Sequence, residues 1–108
     1  MTNPAPFTRP EPARADIDAL RGLALLEFGT DWCGWCRAAQ GPIGEALAAH
    51  PDVRHIRVED GPGRGLGRSF GVKLWPTLVF LRDGREVERL ARPAGTAVAD
   101  ALARTAGG

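Results

Sequence analysis

The stretch Leu26-Glu27-Phe28-Gly29-Thr30-Asp31-Trp32-Cys33-Gly34-Trp35-Cys36 decides how this chain is read. It joins an apolar run to a helix-like one through a short turn. Leu23 to Phe28 is nearly all apolar, Glu27 is its one acid, and Gly22 and Gly29 flank it. A run of that kind between turn formers reads as a buried central strand. From Cys33 to about Ala49 the pattern is alanine-rich and helical, with Ile43 and Leu47 facing a core. Gly41-Pro42 interrupts it. Proline removes a backbone donor and crowds the preceding turn, which predicts a kink or a helix in two parts.

Cys33 and Cys36 therefore stand at a strand-to-helix junction, and they are the only two cysteines in the chain. A pair three apart closes too small a loop to staple a fold, so its value is chemical. Free N–H groups and a partial positive charge at a helix start stabilise an anion there. A thiolate at Cys33 gains from this, and its pKa is expected to fall. Cys36, one turn on, lies on the same side of the helix and can attack a mixed disulfide formed at Cys33.

Outward from this centre, Pro12 to Leu20 reads as a short helix and Val53 to Glu59 as a strand. Gly61 to Gly71 combines a loop with a short helix around Leu66 to Phe70. Thr77 to Leu81 is a second strongly apolar strand. Asp83-Gly84 marks a tight turn, and Glu86 to Ala91 pairs back as a hairpin. Thr96 to Arg104 closes the chain as a helix, with Thr96 as N-cap. Strand–helix alternation that ends in a hairpin implies an α/β fold, a central mixed sheet of about four strands with helices on both faces. Four prolines in the first twelve residues mark 1–14 as a flexible arm and leave 15–106 as the one folded domain.

The chain has 108 residues, 44% hydrophobic and 25% charged, the composition of one globular domain. Fourteen Lys and Arg against thirteen Asp and Glu give a net charge of +1, no basis for a nucleic-acid partner. No apolar run approaches the length of a membrane span, and the first residues do not form an export signal. The cytoplasm is the expected location, where thiols stay reduced.

These motifs, taken together, resemble the thioredoxin family. Asp31-Trp32-Cys33-Gly34-Trp35-Cys36 after the Leu26-Glu27-Phe28 strand is similar to the family's active site. Phe70-Gly71-Val72-Lys73-Leu74-Trp75-Pro76-Thr77-Leu78 is similar to its second signature, and Asp83-Gly84 to its hairpin turn. The resemblance implies a thioredoxin fold and thiol–disulfide exchange with protein disulfides. Cys33 would be the nucleophile and Cys36 the resolving thiol. Pro76, in a cis peptide, would lie against the pair and keep metal off the thiols. Trp32, Gly34, Trp35 and Trp75 would line the substrate groove, and residue 75 would offer its backbone to an extended substrate. Glu27 falls where the family places a buried acid that relays protons. Such a carboxyl is expected to be hard to ionise. His55 falls beside it as a further proton relay and makes the chemistry sensitive near neutral pH. No cofactor other than the Cys33–Cys36 disulfide is implied and no metal. An external reductase or thiol reductant completes the cycle, and the protein is expected to be a monomer.

Three departures from the family pattern stand out. Trp35 replaces the usual proline between the cysteines, which leaves the direction of electron flow open. Residue 75 is Trp rather than a small aliphatic. Arg92-Pro93 stands where the family's groove loop carries glycine, and a positive charge there favours acidic partners. Two other readings compete with this one. Cys33, Cys36, His50 and His55 approach a zinc-finger spacing, but Pro51 and a strand separate the histidines. A thioredoxin-fold binding or chaperone-like module without redox turnover is the rival function, since fold alone does not fix activity.

Overall fold

The computed structural model describes residues 6–107. In chain order the elements are α1 (Arg14–Asp18), β1 (Leu23–Gly29), α2 (Gly34–Ala48), β2 (Arg54–Glu59), α3 (Gly65–Ser69), β3 (Thr77–Arg82), β4 (Arg85–Ala91) and α4 (Ala97–Gly107). The four strands form one mixed sheet in the order β2-β1-β3-β4. β2 runs parallel to β1, while β3 and β4 run antiparallel to their neighbours. This is the sheet that the strand–helix alternation and terminal hairpin imply.

Alternation along β1 divides the core in two. Ala24, Leu26 and Phe28 point to one face, where Ile17 of α1 and Leu66 and Phe70 around α3 cover them. Leu25 points to the other face, beneath Ala39, Ile43 and Ala46 of α2 and Val98, Ala101 and Leu102 of α4. Successive strand residues alternate sides, so Glu27 belongs to the face under α2. The register pairs Leu25 with His55 and Glu27 with Arg57. Paired residues share a face, which brings His55 and Arg57 to the side of Glu27.

The hairpin follows its sequence signal. Asp83 and Gly84 both have positive φ, 50° and 80°, as a two-residue primed turn requires. Asp83 also accepts the Gly22 N–H at 2.8 Å, which ties the turn to the start of β1.

Two expectations are narrowed. Pro42 lies inside one continuous helix, which excludes the helix in two parts. The turns on either side are held by Ala39, Ile43 and Ala46, all buried against the sheet, and this packing outweighs the lost donor. The arm is the second. Residues 1–5 lie outside the described residues, but from Phe7 onward the chain is docked on the domain. Phe7 bridges Arg57 at the outer edge of β2, and the Thr8 N–H donates to the Arg57 carbonyl at 2.8 Å. The Arg57 guanidinium sits 4.2 Å from the Phe7 ring centroid. Prolines at 10 and 12 do not prevent this, because the edge pairing needs only the one N–H of Thr8.

Candidate active site

Three segments meet at the cysteine pair: the end of β1, the start of α2 and the loop before β3. Cys33 is the N-cap of α2, in an extended conformation, and its sulfur accepts the Cys36 N–H at 3.3 Å. The helix thus begins at Gly34, one residue after the expected start. Cys33 keeps 8% of its surface exposed and Cys36 only 1%. That difference separates an attacking sulfur from a shielded one.

The electrostatics separate them in the same sense. Burial pushes the Cys33 thiol up, but hydrogen bonds from Cys36 and the Trp35 backbone, with the Arg92 charge, bring its pKa below the ordinary value. Cys36 is pushed up to about 12, by burial first, then by its hydrogen bond to Cys33 and by the Cys33 and Glu27 charges. At neutral pH, Cys36 therefore holds its proton.

Gly29 gives Cys36 its berth. A Cβ on Gly29 would come within 2.5 Å of Cys36 Sγ and 4.0 Å of Pro76 Cα. The sulfur occupies space that any larger residue would take, and Pro76 backs onto the same spot. The sequence marks Gly29 only as a turn former. The Trp75–Pro76 peptide is cis and Pro76 is buried. Trp75 turns its carbonyl towards the pair, 4.0 Å from Cys33 Sγ.

The tryptophans stand on the surface around the sulfurs. Trp32 is 71% and Trp35 58% exposed, and Trp75 is half-buried. Trp32 and Trp75 meet edge to face with ring centroids 5.6 Å apart. The Trp75 indole N–H donates to Asp60 Oδ2 at 2.8 Å, and the Asp60 N–H donates to the Gly29 carbonyl at 2.9 Å. Asp60 thus fixes the Trp75 ring relative to the end of β1, a role that no local sequence pattern marks. Gly34 is exposed with open space around its α-carbon.

Beneath α2 lies a buried polar group centred on Glu27, which is 1% exposed. Its Oε1 is 2.8 Å from His55 Nε2. Its Oε2 accepts from Gln40 Nε2 at 2.7 Å and from Arg57 Nε at 3.3 Å. Gln40 also donates to the Cys36 carbonyl at 2.9 Å, linking the carboxyl to the resolving residue. The structure therefore brings the expected Glu27 and His55 together. It adds Gln40 and Arg57, which the sequence reading missed. The period of two along β2 puts residue 57 on the face of residue 55, so Arg57 was legible there.

The expected ionisation of Glu27 is overturned. Burial does push the carboxyl up, but the His55 and Gln40 hydrogen bonds and the charges of Arg57 and His55 outweigh it. Its pKa lies below the ordinary carboxyl value, so Glu27 is a carboxylate at neutral pH.

Among the described residues, no group of three or more His, Cys, Asp or Glu side chains could hold a metal ion. His50 lies just beyond the end of α2, and His55 is spent on Glu27. None of the helices among these residues is long and apolar enough to cross a membrane.

Comparison with known proteins bears on this site. The family model for thioredoxin matches residues 9–106. A thioredoxin of Chlamydia muridarum is 41% identical over 69 residues, covering 63% of this chain and 67% of the relative. The structure of thioredoxin 2 from Pseudomonas aeruginosa PAO1 in its reduced form superposes with a TM-score of 0.84 at 55% identity, over 94% of both chains. Fasciola hepatica thioredoxin superposes with a TM-score of 0.68 at 29% identity, covering 84% of this chain and 86% of that one. With a match across nearly its whole length and the cysteine pair at the start of α2, the chain belongs to the thioredoxin family of thiol–disulfide oxidoreductases.

Proposed function

We propose that this protein reduces protein disulfides, with Cys33 attacking and Cys36 resolving. The observation that carries the reading is the asymmetry of the pair, Cys33 keeping a little exposed surface at a helix start and the Cys36 sulfur enclosed against Gly29. The Cys33 thiolate attacks one sulfur of a target disulfide. A Cys33–target mixed disulfide forms, and the displaced target sulfur takes up a proton. Cys36 then loses its proton and attacks the Cys33 sulfur. The second target sulfur leaves with a proton, and Cys33 and Cys36 are left as a disulfide. Two electrons have passed to the target. An external dithiol or reductase returns them, and no dissociable cofactor is required.

The second attack needs a base, because Cys36 is protonated at neutral pH. Glu27 is charged and enclosed beneath α2, where it accepts that proton. His55, 16% exposed at its side chain and hydrogen-bonded to Glu27, passes it towards solvent. Trp32, Gly34, Trp35, Trp75 and Pro76 form the surface against which the target lies. The protein acts as a monomer in the reducing cytoplasm.

Insulin reduction by dithiothreitol tests the activity. The wild-type protein is expected to accelerate it well above the uncatalysed rate, while Cys33→Ser is expected to give no acceleration. If the wild type did not accelerate it either, the binding-module reading would replace this one.

A further inference from the structure

Arg92 sits in the loop after β4 and precedes Pro93. Its φ is +48°, a left-handed conformation that bulky residues rarely adopt. Nothing in the local backbone calls for arginine there. Two contacts hold its side chain in place. The guanidinium carbon lies 5.0 Å from the Trp35 ring centroid, and Nε donates to the Trp75 carbonyl at 3.0 Å. The same carbonyl is 4.0 Å from Cys33 Sγ. Arg92 thus bridges the two walls of the site and places a permanent cation beside the attacking sulfur.

Among the described residues this cation has no carboxylate partner. Seven ion pairs are formed there, and Arg92 is in none of them. The Asp60 carboxylate, which accepts from the Trp75 indole, is not paired with Arg92 either. Arg92 is exposed, so its planar donor fork remains open to an incoming group. Any disulfide that reaches Cys33 must bring its flanking residues past Trp35, Trp75 and this guanidinium.

Resting on the thiol-exchange reading above, we propose that Arg92 is a specificity-determining residue that selects protein disulfides flanked by an acidic side chain. A carboxylate beside the target cysteine takes the open donors of the guanidinium in an ion pair, while Nε keeps its hydrogen bond to the Trp75 carbonyl. A neutral flank offers Arg92 no opposite charge, and a basic flank meets it as a like charge. The target class is therefore an extended, disulfide-bearing segment with Asp or Glu next to the reactive cysteine.

Three disulfide peptides that differ only in carrying Asp, Ser or Lys beside the cysteine test this. The readout is the ratio of kcat/KM values, in which any effect of Arg92 on the Cys33 thiolate cancels. For the wild type the Asp-to-Lys ratio is expected to be about fivefold at low salt and to shrink at high salt. In Arg92→Gly, which accepts the positive φ without strain, the ratio is expected to fall to about one. Arg92→Lys keeps the charge but loses the fork, and an intermediate ratio is expected. A wild-type ratio of one, or an Arg92→Gly ratio equal to the wild type's, overturns the proposal while the thiol-exchange reading stands. Failure of the wild type to turn over any of the three peptides overturns both.

Discussion

Replacing Cys36 with serine is expected to stop turnover after the first exchange and leave the target covalently held on Cys33. The wild type resolves that intermediate because Cys36 sits one turn into α2, against Gly29, with Cys33 as its immediate neighbour across the helix start. Serine fits the same space but cannot displace sulfur from sulfur. Insulin reduction should fall about a thousandfold or more, the size of loss seen when one member of a catalytic unit is removed. Intact mass under non-reducing conditions should show the protein plus one target chain, released by dithiothreitol. Cys33→Ser should show no such adduct. An adduct on Cys36 in that variant would reverse the assignment of roles.

The second large effect concerns Glu27, whose carboxylate compensates two basic residues inside the fold. Arg57 and His55 have side chains only 8% and 16% exposed. Glu27→Ala leaves them without that charge and is expected to cost about 3–5 kcal/mol. For a chain of this size, each kcal/mol corresponds to a drop of about 4–8 °C in Tm. Glu27→Gln keeps the shape and part of the hydrogen bonding, so it should fold and lose less. The pH dependence has a definite sign. The carboxyl's folded pKa lies below its unfolded one, so its stabilisation is complete above the unfolded value and is lost as pH falls through the folded value. Urea midpoints should therefore fall on acidification in the wild type and fall less in Glu27→Gln. The same variant should slow resolution by about 100–10,000-fold with little effect on the first attack, the range for loss of a general base. Equal slowing of both steps would remove Glu27 from proton transfer and leave it a purely structural role.

The fold was legible where a period and its punctuation agree. The β1 run between glycines, the Asp83-Gly84 turn and the alternation of strands with helices each have one local cause, and the structure places them accordingly. Cys33 and Cys36 are legible from their spacing at a strand-to-helix junction, whereas Pro76 is legible only through the family resemblance. The pairing of Glu27 with His55 needed the register of β1 on β2, which the family resemblance supplied in advance of the structure. Arg57 needed one further step, two residues along the same face.

What escaped depends on contacts between distant segments. Asp60 matters because Trp75 reaches it from the loop before β3, and no local pattern encodes that approach. Gly29 has the appearance of a turn residue, yet its missing side chain is what admits the Cys36 sulfur. The proline-rich start concealed its docking, because a single aromatic, Phe7, and a single N–H, that of Thr8, carry it. The ionisation of Glu27 is not legible in the sequence, because burial is visible in an apolar run, while three donors arriving from other segments are not.

The inequality of the two thiols is the central claim, and pH-resolved alkylation of the reduced protein tests it most directly. Reduced wild type is treated with iodoacetamide across a pH series, and each cysteine's modification is followed by peptide mass. Cys33 is expected to react with a midpoint below the ordinary thiol value, while Cys36 stays unmodified until pH approaches about 12. Modification of both cysteines with one shared midpoint, or of Cys36 before Cys33, would contradict the mechanism.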